Sequence, residues 1–152
     1  MRLDNWVNYS EVIKLKLAAL KLAFEHFQQK PIVVRQQAFY NFLSEEGESL
    51  QIQATFDALH QHLSEQFDSQ YGRDFGPEEY QDYNSVAVQK FQTEYMEKIH
   101  FYSWLQFCAA QQFAECNQVC KKRKMTLGMY RDLAVGVANN GAETWGDKIY
   151  IV

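Results

Sequence analysis

Apolar residues recur at helical intervals near the start of the chain. They follow Asn8–Glu11, which has the spacing of a capping box, and they recur every three or four positions. This pattern predicts a first amphipathic helix from about Tyr9 to Gln28. Lys30 ends it, because a residue that precedes a proline, here Pro31, disfavours helical geometry. The residues of the apolar stripe are Ile13, Leu17, Leu20, Phe24 and Phe27.

Two further helices are predicted before the middle of the chain. A short one runs roughly from Arg35 to Ser44, and Gly47 behind it suits a helix terminus. A third runs from about Glu48 to Phe67, and the polar residues between its apolar positions face water. From Asp68 to Tyr83 the periodicity lapses, which predicts an ordered surface loop with one helical turn after Pro77. The stripe of the third helix consists of Ile52, Phe56, Leu59, Leu63 and Phe67.

The longest predicted helix occupies the second half of the chain. Asn84 and Ser85 cap it, and its pattern continues from about Val86 to Lys122. Between Ile99 and Ala114 it is apolar on nearly all sides, so we expect other elements to bury that part. A run of cations ends the helix, where the helix dipole favours positive charge.

The residue composition changes after the long helix. Met125 to Ala138 contains short apolar residues and glycine, bounded by Asn139-Asn140-Gly141, and predicts one strand. A single strand cannot satisfy its own backbone hydrogen bonds. Its candidate partners, residues 32–34 and 150–152, are weak. The chain therefore reads as a piece of a larger protein of helices and parallel strands, with a helical region at 1–123 and the strand with its following loop at 124–152.

Composition narrows the classes of function. The formal net charge of −4 argues against a partner nucleic acid, because polyanion-binding domains carry a dense basic face. No apolar run of about 18 residues is present, and the first residues lack the features of a signal peptide, so we expect a cytoplasmic protein without a membrane partner. The three cysteines fall in one helix and are expected to be reduced, part-buried thiols. The four histidines show no spacing for a zinc site.

Several segments, in a shared order, resemble one enzyme family. Leu127–Val137 followed by Gly141–Trp145 closely resembles the amylomaltases, the 4-alpha-glucanotransferases of glycoside hydrolase family 77. The aromatic stretch Phe101–Phe113 is similar to a family segment, as are Gly76–Tyr80 and Asp57–His60 upstream. The resemblance covers the chain from about residue 7 to residue 147.

The resemblance implies a fold and a reaction. The fold is mainly α: a helical subdomain plus one strand that belongs to the (β/α)8 barrel of the parent enzyme. The reaction moves an alpha-1,4-glucan segment between maltodextrins with retention, through a covalent glycosyl-enzyme. It needs two carboxyl groups about 5 Å apart. In the family both follow the segment that ends at Val152, so we assign no catalytic residue, expect the isolated chain to be inactive, and infer no cofactor and no metal.

Three residues are candidates for substrate binding. In such barrels the loops after the strands face the substrate, which places Ala138–Trp145 toward the sugar. Asn140 stands where some family members have an aspartate that contacts glucose, and it is either a sugar contact or an ordinary turn asparagine. Trp145 either stacks on a sugar face or closes the loop. Asp132, at the start of the strand, is either structural or sugar-contacting.

A second class of function stays open. Four helical segments can bury a core without a barrel, so the chain could be a free-standing helical interaction or structural module. Cooperative unfolding as a monomer would favour the module. Self-association through the aromatic face and the unpaired strand would favour a fragment of the enzyme, whose partner in the full-length form is a maltodextrin or another alpha-1,4-glucan.

Overall fold

A computed structural model of the chain describes residues 6–66, 76–132, 136, 138 and 141–146. Within these ranges the regular structure is helical. The elements are α1 (Tyr9–Gln29), α2 (Val33–Gln66), the 3-10 helix η1 (Glu78–Tyr80), α3 (Val86–Glu94), α4 (Met96–Lys122) and α5 (Ala142–Gly146). None of the helices in this part of the chain is long and apolar enough to cross a membrane.

The first helix begins and ends where its sequence predicts. The Asn8 side chain accepts a hydrogen bond from the Glu11 backbone N–H at 3.2 Å, which satisfies one of the amides left open at a helix start. At the other end the Lys30 N–H donates to the His26 carbonyl at 2.9 Å, directly before Pro31. The capping-box spacing and the proline together account for both ends of α1.

Helix α2 consists of two helical arms that meet at Gly47. This glycine has φ 56° and ψ −135°, a conformation that a residue with a Cβ rarely adopts. The two arms correspond to the predicted second and third helices, and the break falls at the residue expected to separate them. Val33 and Val34 open the first arm, so residues 32–34 as a partner strand were a wrong prediction.

The predicted long helix is two helices, α3 and α4, which was not foreseen. The cap at the start is as expected, since the Ser85 side chain accepts from the Val88 N–H at 3.2 Å. The helix breaks at Tyr95, which has φ −117° and ψ 28°. The Tyr95 ring stacks on Phe91 with centroids 4.8 Å apart and lies 4.4 Å from the His62 ring. One of these aromatic contacts is with α2, so the break lies against the core-forming arm of that helix.

The chain divides into two compact units, Met1–Asn41 and Phe42–Val152. The second unit holds a core that joins the second arm of α2 to α3, α4 and α5. Burial of apolar side chains at roughly 25 cal/mol per Å² stabilises this packing. The sequence-based division at residue 124 stays a prediction. The buried core residues are Ala54, Ala58, Leu59, Leu63, Val88, Phe91, Ile99 and Trp145.

Burial of α4 stops earlier than its composition suggests. Phe107 is buried, but Phe113 is 48% exposed and Val119 55% exposed. The expectation of burial as far as Ala114 was therefore wrong beyond Phe107, because little of the described chain packs against the later part. Cys116 is exposed there, contrary to the prediction of part-buried thiols, whereas the other two cysteines are half-buried.

The predicted strand is only partly within the described residues. Met125–Asp132 carry no strand, while Leu133–Val135 and Val137 lie outside the described ranges. Residues 150–152, the other candidate partner, also lie outside them. The strand and its place in a barrel stay predictions.

Candidate functional site

Trp145 anchors the C-terminal segment in the core of the second unit. Its indole Nε1–H donates to the backbone carbonyl of Tyr80 at 2.8 Å, and the residue is only 5% exposed. Its ring meets those of Phe56 and Tyr83 in edge-on contacts, with centroids 5.7 and 5.3 Å away. Such aromatic pairs add about 0.5–1.5 kcal/mol beyond area burial. The indole therefore packs against two aromatic rings and donates a hydrogen bond at the same time.

A glycine lets the helix that carries Trp145 approach α2. A Cβ at Gly146 would lie 2.6 Å from Ile52 Cγ2 and 3.1 Å from Ile52 Cδ1, closer than side chains normally pack. Since Ile52 is β-branched and stiff, it cannot easily turn away. The close approach of α5 to α2 therefore requires glycine at position 146.

The start of α5 is hydrogen-bonded to Ala138, the residue before Asn139-Asn140-Gly141. Gly141 N–H donates to the Ala138 carbonyl at 3.0 Å, and Trp145 N–H donates to the Gly141 carbonyl at 3.1 Å. The Thr144 hydroxyl lies 3.0 Å from the Gly141 carbonyl and 3.2 Å from that of Ala138, so its one proton can serve either. This short chain of hydrogen bonds connects Ala138 to Trp145.

The three predicted substrate-binding residues lie in different surroundings. Asn140 is outside the described residues, as is Asn139. Asp132 is exposed, in a stretch without regular structure. Trp145 is buried. Part of the predicted loop is the short helix Ala142–Gly146 rather than an irregular segment. Contact of any of the three with sugar stays a prediction.

A polar cluster between α2 and α4 was missed at the level of sequence. Gln53 Nε2 donates to Asp57 Oδ2 at 3.1 Å, and the Tyr102 hydroxyl donates to Gln61 Oε1 at 2.8 Å. The i,i+4 spacing of Gln53 and Asp57 was the one signal that could have indicated the first bond. The second joins residues 41 positions apart and has no local signature.

Burial governs the titration of this cluster. Loss of solvation raises the pKa of Asp57, while the Gln53 hydrogen bond and the charge of His60 oppose that change. Loss of solvation, with the charges of Asp57 and Glu65, raises the pKa of Tyr102 to about 12. Tyr102 is therefore a hydrogen-bond donor at neutral pH and not a base.

A groove of about 620 Å³ runs between α2 and the later part of α4. Its walls combine aromatic and aliphatic side chains with amides and charged groups. The Arg131 guanidinium lies 5.0 Å from the centroid of the Phe113 ring, so the segment after α4 returns to the helix here. The polar lining residues include Glu46, Gln53, Gln106, Asn117 and Arg131.

A second cleft, of about 580 Å³, lies beside the Tyr95 break and is lined partly by His62. Burial and the charge of Lys98 lower the pKa of His62, and Glu65 opposes them. Lys98 Nζ in turn lies 3.3 Å from a Glu65 carboxylate oxygen. Across the ranges that the structure describes, His, Cys, Asp and Glu form no group of three or more that could hold a metal ion.

Comparison with known proteins places the chain in a family of transferases. A family model described as 4-alpha-glucanotransferase, glycoside hydrolase family 77, matches residues 1–151. The chain belongs to the 4-alpha-glucanotransferase family, which confirms the resemblance seen in its segments.

Individual relatives carry the same description. A 4-alpha-glucanotransferase of Haemophilus influenzae is 32% identical over 97% of this chain, and the match covers 22% of that protein. Proteins of the same name from Mycobacterium bovis and Mycobacterium tuberculosis are 31% identical over 73% of the chain, covering 14% of their own length. The chain thus spans about a fifth or less of these relatives.

Proposed function

We propose that these residues form part of an enzyme that transfers alpha-1,4-glucan segments from one maltodextrin to another. The observation that supports this most is the family match, which extends over residues 1–151 without depending on one motif. The shared name of the relatives supports the same substrate class. Transfer with retention would proceed in two displacements through a covalent glycosyl-enzyme.

The catalytic carboxyl pair is proposed to come from residues outside this chain. Retention needs two carboxyl groups about 5 Å apart, one as nucleophile and one as acid and base. Among the described residues, Asp57 has a raised pKa, but its bonded neighbour is the amide of Gln53 rather than a second carboxylate. We expect the isolated chain to be inactive, with the role of supporting and lining the glucan site.

Two polar residues are proposed to take part in binding the glucan. Asn140 would hydrogen-bond a sugar hydroxyl, which a neutral amide can do as donor and acceptor. It would stabilise developing positive charge less well than a carboxylate. Asp132, which is exposed, would either contact the sugar or accept hydrogen bonds from neighbouring strands of the parent barrel.

The test uses the protein encoded by the complete reading frame that contains these codons. With maltotriose, a transferase should release glucose together with maltopentaose and longer products. Proton NMR of the longer products should show that the new glycosidic linkage is alpha, because two displacements retain the configuration of the transferred anomeric carbon. Hydrolysis alone, giving glucose and maltose, or a new linkage of beta configuration would contradict the proposal.

A helical module without catalysis is the second candidate. The observation in its favour is that α2, α3, α4 and α5 close a core within the second unit. A module of this kind should unfold cooperatively as a monomer, with calorimetric and van't Hoff enthalpies that agree. Self-association of the chain, with no cooperative transition, would exclude the module and favour the fragment of an enzyme.

A further inference from the structure

We propose that Trp145 is a positioning residue, which holds Ala138 and Gly141, in the loop proposed to face the sugar, in place relative to η1 and the second arm of α2. The inference rests on the proposed function and deepens it. In this role Trp145 affects catalysis through the position of the residues to which it is hydrogen-bonded, and it does not itself touch the glucan.

The burial of Trp145 is the first support. At 5% exposure the indole has little surface left for a sugar, and edge-on contacts with Phe56 and Tyr83 occupy its ring. A stacking platform for a glucose ring must instead present an open aromatic face. The geometry favours an anchor.

The bond to Tyr80 is the second support, because both of its ends are fixed. The acceptor is a backbone carbonyl at the end of η1, a turn closed by the Tyr80 N–H donating to the Pro77 carbonyl at 2.9 Å. The Ser85 hydroxyl donates to the neighbouring Glu79 carbonyl at 2.6 Å and ties η1 to the start of α3. The Tyr80 carbonyl therefore belongs to a turn that is fixed to α3, and it is an acceptor with a defined position for the Trp145 N–H.

The short path from Trp145 to Ala138 is the third support. Trp145 N–H binds the Gly141 carbonyl and Gly141 N–H binds the Ala138 carbonyl, so two backbone bonds connect anchor and segment. Gly146, the next residue after Trp145, lies directly against Ile52. A displacement of Trp145 must therefore shift Gly141, and misplacement of a binding group by about 1 Å can lower a rate by roughly 10²-fold.

The experiment uses the protein encoded by the complete reading frame, with maltotriose as substrate, at a temperature where circular dichroism shows every variant folded. Trp145→Phe keeps an aromatic ring and removes the N–H donor. We expect kcat/KM to fall by about 10-fold or more, with most of the loss in kcat, as for a misoriented site. Trp6→Phe, at a residue that is 88% exposed, is the matched control and should leave both constants unchanged.

A rescue experiment separates positioning from general loss of stability. Gly146→Ala should lower kcat, because its Cβ would meet Ile52 at 2.6 Å. Ile52→Ala removes both contacting carbons, so the double variant should regain most of the activity of Ile52→Ala alone. If the double variant recovers kcat while it stays as thermally unstable as Gly146→Ala, the loss in Gly146→Ala came from misplacement of α5 and not from lower stability.

The outcomes distinguish this inference from the function on which it rests. A wild-type protein without transferase activity would overturn the proposed function and the inference together. An active wild type, with Trp145→Phe kinetics equal to those of Trp6→Phe, would overturn the inference alone. Failure of Ile52→Ala to rescue Gly146→Ala would also overturn it.

Discussion

The two parts of α4 both carry large apolar side chains, but they differ in environment. In the buried part, Ile99–Phe107, four large apolar side chains lie against other elements, and Phe107 meets Phe42 with ring centroids 5.6 Å apart. In the exposed part, Phe113–Val119, Phe113 and Val119 remain largely open to solvent. The comparison shows that apolar composition tells which residues could be buried, whereas the neighbouring elements decide which ones are.

The largest effect should separate the two parts directly. Phe107→Ala should lower the free energy of unfolding by about 3–5 kcal/mol, since it removes a buried ring and leaves a cavity. Phe113→Ala, the matched change in the exposed part, should cost less than about 1 kcal/mol, mainly its contact with Arg131. Urea denaturation of both variants measures the difference. Equal losses would mean that the two parts are buried alike.

The segment that ends α4, just beyond the exposed part, offers a gain in stability. Lys124 has φ 55°, and the bonds from Lys124 N to Lys121 O and from Met125 N to Cys120 O form a Schellman motif. Glycine is the preferred residue at this left-handed position, so Lys124→Gly should raise the free energy of unfolding by about 1 kcal/mol.

A glycine substitution at the neighbouring position controls for the effect of introducing glycine where the backbone conformation is ordinary. Arg123→Gly, at φ −83°, should give no gain, because that residue already has an ordinary conformation. Urea denaturation compares the two variants with the wild type. A Lys124→Gly protein no more stable than Arg123→Gly would contradict the assigned geometry.

A buried hydroxyl in α2 gives a smaller effect. Thr55 is fully buried, and its Oγ1 has no hydrogen-bond partner among the residues that the structure describes. Thr55→Val keeps the shape and removes the unsatisfied group, so thermal unfolding should show a gain of up to about 1 kcal/mol. Thr93→Val, at an exposed threonine whose hydroxyl donates to the Gln89 carbonyl, should give none. A clear loss in Thr55→Val would reveal a partner for the hydroxyl.

The smallest effect depends on pH and concerns Asp57, on the face of α2 near Tyr102. Its pKa is raised above 3.8 in the folded chain, mainly by burial. Its contribution to stability is therefore present below the unfolded pKa and lost as the pH rises through the folded pKa. Asp57→Asn should be more stable than the wild type at pH 7, and the difference should close below about pH 3.8. A pH-independent difference in unfolding free energy would contradict this.

Local sequence signals predicted most helix boundaries. The capping box and Pro31 fixed α1, and Gly47 marked the break in α2 because few other residues adopt its conformation. The break at Tyr95 has no such local signal, because neither glycine nor proline stands there and the ring that it contacts, His62, is far away in sequence.

The candidate site was less predictable than the helices. Asn140 and Trp145 were singled out by resemblance, but the buried indole of Trp145 donates to a carbonyl 65 positions away. No periodicity encodes such a contact. A local pattern could show that Trp145 was special, and only the packing of η1 against α5 shows that it is an anchor.

The most direct test of the account is the activity of residues 1–152 alone. The chain, shown to be folded by circular dichroism, is incubated with maltotriose beside the protein encoded by the complete reading frame, and released glucose is measured. We predict no glucose and no longer maltodextrins from residues 1–152 alone, and both from the protein encoded by the complete reading frame. Disproportionation by the chain alone at a comparable rate would contradict the claim that the catalytic carboxyl groups lie outside it.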